Sequence, residues 1–309
     1  MTDTLERQRT SGGAASQDYH VRSVRDPRII EAALSEDRPL AAYALGHLER
    51  DLLDTADFYI ADGPAGTGVV MHARGMGQTT VLIGAAEAVA AIVSIHPGAR
   101  RSYLSTATPE QIRLLRRRFR VYDELPMRRM ATTRAAFQSV NGEVRRLSGR
   151  DVGRLNALYA SEGGPSFYRA DTIDRAVYFG AFDGQRLTAV AGSHVVAPNA
   201  SIAVVGNVFT AAEYRGCGLA TRTTSAVTEA LLARGCSDVV LTVDPKNDPA
   251  VHAYKRLGYV FGSVVVEARL QRTDFLGIGP TLRRRAARRR GRDLEPPGLE
   301  IVPRAAGQR

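Results

Sequence analysis

The run Tyr214-Arg215-Gly216-Cys217-Gly218-Leu219-Ala220 decides how the rest of this chain is read. It follows an apolar stretch, Ile202 to Thr210, and opens a helical pattern. A glycine-rich turn between a strand and a helix N-terminus is an anion site, because backbone N–H groups point outward and the helix dipole favours negative charge. Gly216 and Gly218 let the backbone curl with no Cβ in the way. The ligand that suits such a turn is a phosphate or pyrophosphate.

The pattern continues in both directions. Leu219, Ala220, Ala226, Val227, Ala230 and Leu231 share one helical face, and Gly235 stops that helix. Val239–Val243 reads as a short apolar strand, which completes a strand–helix–strand crossover. Asp248-Pro249 opens another helix, with Ala250, Ala253, Tyr254 and Leu257 at i, i+3, i+4 and i+7, and Gly258 closes it. Tyr259 to Leu270 supplies the last strands. Upstream, Val144–Leu147 reads as a strand. Ser148 to Asp151 starts a helix with Val152, Leu155 and Leu158 as its stripe, and Pro165 to Asp174 a second short one. Val177–Phe182 and Leu187–Val196 form a hairpin about Asp183-Gly184, and Ile202–Thr210 is the next strand.

In this order the motifs resemble the GNAT acyltransferase superfamily, whose members move an acyl group from acyl-CoA to an amine. The resemblance covers residues 143–270 of 309. The family's Arg/Gln-x-x-Gly-x-Gly/Ala loop stands as Arg215 to Ala220, and the strand before it as Asn207-Val208-Phe209-Thr210. The later Asn-x-x-Ala-x-x-x-Tyr-x-x-x-Gly signature stands as Asn247, Ala250, Tyr254 and Gly258.

The resemblance implies an α/β (α+β) GNAT fold, a mixed and mostly antiparallel sheet flanked by helices. It implies acetyl-CoA as co-substrate and no metal. Amides of Gly216, Cys217, Gly218, Leu219 and Ala220, beside Arg215, would cradle the CoA pyrophosphate. Val208, Phe209 and Thr210 would pair with the pantetheine arm, one N–H of that strand holding the oxyanion. Asn247 would contact the CoA arm, and Tyr254 would stand near the thioester sulfur as general acid. Other readings stay open: Tyr254 as a core residue, Asn247 as a cap, Arg215 as a surface ion pair, Cys217 as a small tolerated residue.

One position departs from the family. Many members place a glutamate base five residues before the Asn, where this chain has Thr242. Asp244, His194 and Glu213 are the candidates to replace it, as is proton loss to water.

The first half carries no motif that specifies chemistry. Residues 1–22 are polar and expected to be disordered, and 23–130 to form a smaller α/β domain, a candidate degenerate copy of the same fold. Residues 131–142 serve as linker, 143–272 as the acetyltransferase domain and 273–309 as an Arg-rich tail, disordered or peripheral. In such two-domain proteins the acceptor site would lie at the junction.

Composition bounds the rest. The chain is 44% hydrophobic and 24% charged, with net charge +10. Residues 281–309 hold nine Arg against three acids, +6 of that charge. Two cysteines, Cys217 and Cys236, are no disulfide framework. The polar N-terminus and the absence of a long apolar run point to a cytoplasmic protein with no membrane partner. The leading function is acetyl transfer to a small-molecule or peptide amine. The alternatives are a non-catalytic acyl-CoA sensor and an acetyltransferase tethered to nucleic acid through residues 281–309.

Overall fold

The computed structural model describes residues 18–74, 77–164, 166–274 and 277–294. The first half runs β1 (His20–Val24), α1 (Pro27–Ala33), α2 (Ala42–Gly46), α3 (Arg50–Leu53), β2 (Ala56–Gly63), β3 (Gly66–Ala73), β4 (Thr79–Gly84), α4 (Ala86–Ile95), β5 (Arg101–Thr106), α5 (Pro109–Leu115) and β6 (Phe119–Thr133). The second half has the same order. It runs β7 (Arg145–Arg146), a 3-10 turn (Gly149–Asp151), α6 (Val152–Ala160), α7 (Ala170–Arg175), β8 (Tyr178–Asp183), β9 (Arg186–Ala197) and β10 (Ile202–Thr210). A 3-10 turn (Ala212–Tyr214), α8 (Leu219–Ala233), β11 (Asp238–Val243), α9 (Asp248–Arg256) and β12 (Val260–Arg272) follow. A tail adds α10 (Ile278–Arg289) and β13 (Asp293–Leu294).

The thirteen strands of the described residues form one sheet, ordered β13-β1-β2-β3-β4-β5-β12-β6-β11-β10-β9-β8-β7. Each half inserts its last strand into the other. β6 lies between β12 and β11, and β12 lies between β5 and β6. The segment expected as linker therefore begins inside a central strand, since β6 runs to Thr133 and Ala131 pairs with Val240. The pairs β4–β5, β10–β11 and β1–β13 are parallel, and every other neighbour is antiparallel.

Local chemistry sets the element ends. Thr108 and Gln111 close a reciprocal capping box at α5, with Pro109 behind the cap. The β8–β9 hairpin turns through Gly184, at φ 54°. Asp151, buried, caps the turn before α6 by accepting from Ser148 N, and Arg145 holds its carboxylate.

The core joins the two halves. Ile30, Leu45, Phe58, Ile60 and Met71 of the first half bury against Val195, Ile202, Val204 and Val240 of the second. Burying each such side chain is worth ~2 kcal/mol, so α2 is pinned to the strands of the opposite half. Gly46 permits this, because a Cβ there would run into Val195. On the other face, α8 and α9 bury Val227, Leu231, Val251, Tyr254 and Leu257 against Met130, Val239 and Leu241.

Two expectations change at the termini. His20–Val24 falls partly in the stretch expected to be disordered, yet pairs with β2 and buries Val21 and Val24. The tail over residues 278–294 is ordered against the first half. α10 lies on α4, β13 extends the sheet edge, and buried Asp293 binds His96 at 2.8 Å and Arg288 at 3.1 Å. Residues 1–17 and 295–309 lie outside the described residues.

Candidate active site

β10 and β11 run parallel but pair only over Ile202–Val204 with Asp238–Val240. Beyond Val204 they separate, β10 continuing to Thr210 and β11 to Val243. A bulge helps to part them. Between Gly206↔Gly192 and Phe209↔Val190, β10 advances three residues and β9 two. The extra residue leaves backbone groups outside the ladder. Asn207 sits there in the left-handed region, at φ 53°. Three tyrosines hold it: Tyr159 donates to its carbonyl at 2.6 Å, Tyr168 to Oδ1 at 3.0 Å, and its Nδ2 donates to Tyr178 at 2.7 Å. Val208, Phe209 and Thr210 thus line the opening on a braced strand.

The glycine turn follows. Gly216 and Gly218 have φ of 79° and 74°, and space around both is open. Gly218 caps the 15-residue α8 with no side chain bonding its first amides. An uncapped helix N-terminus beside an exposed loop, at the mouth of parted strands, leaves free amides whose chemistry suits an anion such as phosphate. Arg215 is engaged elsewhere: its guanidinium pairs with Glu162 and donates to Thr210 O at 3.2 Å. Cys217 is exposed. Leu219 and Ala220 are half-buried.

Other candidates take distinct positions. Asn247 caps α9 by accepting from Ala250 N at 3.2 Å, and its side chain is exposed. β11 ends at Val243, so Asp244 falls in the following turn, where its carboxylate accepts from Lys246 N at 2.9 Å. Glu213 pairs with Arg186 on the surface. Tyr254 is 7% exposed, and its hydroxyl makes no protein hydrogen bond among the described residues. Burial pushes its pKa up to about 12.

His194 projects from β9 over Gly206, where any Cβ would strike its ring. Its Nδ1 is 2.9 Å from the Tyr43 hydroxyl, which α2 brings across from the first half. The ring stays accessible, yet the protein crowded around it lowers its pKa, with Asn207 and Glu267 opposing.

Thr242 leads to residues that the sequence did not single out. Its Oγ1 accepts from Arg129, which is fully buried on β6 and directly opposite in register. Arg129 also donates to Thr106 Oγ1 at 2.6 Å and lies 5.0 Å from the Tyr43 ring centroid. Tyr103 donates to Glu267 on β12. Tyr43, Tyr103, Arg129 and Glu267 come from four first-half or exchanged elements and meet His194 of the second half. No local pattern marks them, because Arg128, Arg129 and Met130 show no clean alternation and only the strand exchange sets which side chain faces inward.

Residues 152–259 match the model of the Acetyltransferase (GNAT) family. No curated protein matches the chain. Among solved structures, a Drosophila protein aligns at TM-score 0.59 and 14% identity, over 82% of this chain and 98% of its own. A GCN5-related N-acetyltransferase from Kribbella flavida aligns at 0.51 and 17%, over 77% and 95%. A GCN5-related N-acetyltransferase-like protein from Streptococcus suis aligns at 0.50 and 11%, over 80% and 98%. These likenesses are of fold, and they reach well beyond residues 152–259 into the first half. No helix among the described residues is long and apolar enough to cross a membrane.

Proposed function

We propose that this protein transfers an acetyl group from acetyl-CoA to a primary amine by direct attack, with acetyl-CoA in the second half. The observation that carries this reading is the joined geometry of parted β10–β11 strands, the braced bulge at Asn207, and two open left-handed glycines leading into an uncapped helix. Each part suits one portion of acetyl-CoA: the amides of 216–220 its pyrophosphate, Val208 to Thr210 its pantetheine amides. A freed N–H near Val208 suits the thioester oxygen, where it stabilises the oxyanion. The first half is read as a second copy of the fold whose own opening is closed.

His194 is the group placed to take the amine's proton. Its lowered pKa keeps the ring neutral near pH 7, which a base requires. When Nδ1–H is given to Tyr43, Nε2 keeps its lone pair. Asp244 is assigned no role, since its carboxylate is turned into its own loop. Tyr254, at about 12, stays protonated. It is too weak an acid to surrender its proton to a thiolate of pKa about 8.5, so it donates a hydrogen bond to the departing sulfur. The proton that neutralises the sulfur is the second one on the attacking nitrogen.

A non-catalytic acyl-CoA sensor is favoured by one observation, that Thr242 is bound to Arg129 and offers no base. The accessible His194 weighs against it. Calorimetric titration of acetyl-CoA into wild type and Gly218→Glu tests the core of the proposal. The substitution puts bulk and negative charge at the cradle, and loss of affinity by at least ~100-fold in a folded variant is expected. Equal affinity of the two proteins, or no binding to wild type, would overturn it.

A further inference from the structure

Glu267 is a carboxylate with an unspent charge at the junction of the halves. It is half-buried on β12, the strand that the second half inserts between β5 and β6. Its Oε2 accepts from Tyr103, and among the described residues it forms no ion pair. Beside it lies Arg129, buried and bonded only to neutral oxygens: the hydroxyls of Thr242 and Thr106 and the Ser105 carbonyl. Tyr43 bridges from the Arg129 guanidinium to His194. The charge of Glu267 is felt at Tyr43, Tyr103, Arg129 and His194 alike.

This cluster has a consequence for the acceptor, given the acetyl-transfer reading above. An alkyl amine reaches the site as an ammonium ion, since its pKa lies near 10. Thr242 offers no negative charge to receive it, and the buried Arg129 repels it. A cation can settle there only beside a compensating anion. Glu267 is such an anion, oriented by the Tyr103 hydroxyl. The exposed Tyr103 ring and the half-buried Tyr43 ring add faces that attract a cation.

We propose that Glu267, carried into the first half by the exchanged strand, binds the acceptor's ammonium group and so selects cationic primary amines. The nitrogen gives one proton to His194 Nε2. The C–N bond to the acetyl carbon forms as the C–S bond breaks, and the second nitrogen proton passes to the sulfur. Glu267 holds the cation and takes no part in the bond-making steps. The two halves then build one site, because the acceptor's anchor reaches it only through the strand exchange.

The test is calorimetric titration of hexylamine into the full chain, with and without saturating CoA, and of hexanoate as the opposite charge. Wild type is expected to bind hexylammonium and not hexanoate. Glu267→Gln should weaken hexylammonium by at least ~10-fold, the scale of a charged hydrogen bond, and admit hexanoate beside the uncompensated Arg129. Glu267→Asp should keep the cation preference. A merely structural Glu267 would not reverse the charge preference. If Glu267→Gln does not fold, Tyr103→Phe serves instead and should weaken hexylammonium ~3-fold by freeing the carboxylate. Failure of wild type to bind hexylamine, or equal binding by the variant, overturns the assignment. Failure to bind CoA overturns the acetyl-transfer reading instead, and the hexylamine arm without CoA still reads Glu267.

Discussion

The two halves share an order of elements and differ where a substrate would enter. In the second half, eight residues separate β10 from α8, and two of them are glycines with open space around them. In the first half only Ala85 separates β4 from α4. Gly84 there is also left-handed, at φ 85°, but a Cβ on it would run into the Thr67 carbonyl. Gln111 reaches over to bond Gly84 O at 2.9 Å, and Ala107, Ile112 and Leu115 fill the space beneath. One copy of the motif is open and the other is plugged. A shared fold supplies the opening between parallel strands, and the residues at its mouth decide whether it holds a ligand or its own side chains.

The sharpest way to break that comparison is the same substitution in both turns. Gly84→Ala meets a backbone carbonyl as well as a strained dihedral and should cost about 3 kcal/mol or more. Gly218→Ala meets only the dihedral and should cost about 1 kcal/mol. Denaturant unfolding of the two variants checks this. Equal losses would mean that the turns are equally open, and the contrast would fall.

Acid should expose a second difference. His72 of the first half is wedged between Thr80 Oγ1 and the His96 carbonyl, each at 3.1 Å, and burial brings its pKa down to about 4. The unfolded chain binds that proton near 6.5, so stability is full above 6.5 and falls as pH drops from there toward 4. The loss is about 3 kcal/mol. His72→Gln should flatten this part of the stability profile. If the variant loses stability with acid as steeply as wild type, His72 is not the source.

The second half was legible because its chemistry is local. The glycine turn, the Asn-to-Tyr helix and the Asp-Gly hairpin each sit in one short window, and all three elements stand where the residues imply. The first half was legible only as a string of elements. β1 escaped notice, since His20-Val-Arg-Ser-Val24 offers only two apolar residues after a polar stretch. The exchange of β6 and β12 was invisible, because nothing in Phe119–Thr133 says which of two halves it pairs with. Arg129, Tyr43, Tyr103 and Glu267 were therefore missed together: a single topological fact brings them to one place. Thr242 stands where many GNAT members carry a glutamate, and the sequence does not show that His194, the base proposed above, stands beside Tyr43 of the other half.

Tyr254 tests how far the second half resembles the GNAT family in chemistry. Tyr254→Phe removes a hydroxyl with no protein partner, so folding should change little. If that hydroxyl bonds the leaving sulfur, kcat should fall ~10- to 100-fold, the worth of one charge-assisted hydrogen bond, while acetyl-CoA affinity stays within about twofold. An unchanged kcat would return Tyr254 to the core, where its contacts with Val251, Leu257 and Tyr259 already give it a structural reason to exist.

The smallest expected effect is the most discriminating about how the proposed cradle would work. Arg215 opens the glycine turn, and its charge looks made for a pyrophosphate. Its guanidinium is nevertheless held by Glu162 and by the Thr210 carbonyl, both on the protein side of the loop. An exposed ion pair of this kind contributes no more than about 1 kcal/mol. If the cradle acts through backbone amides, Arg215→Ala should weaken acetyl-CoA by less than about threefold and at most flatten its salt dependence slightly. A loss of tenfold or more, relieved in Glu162→Gln, would instead mean that the arginine leaves Glu162 for the phosphate on binding. The turn would then be a charged clamp, and the contrast with the plugged half would rest on a side chain as much as on two open glycines.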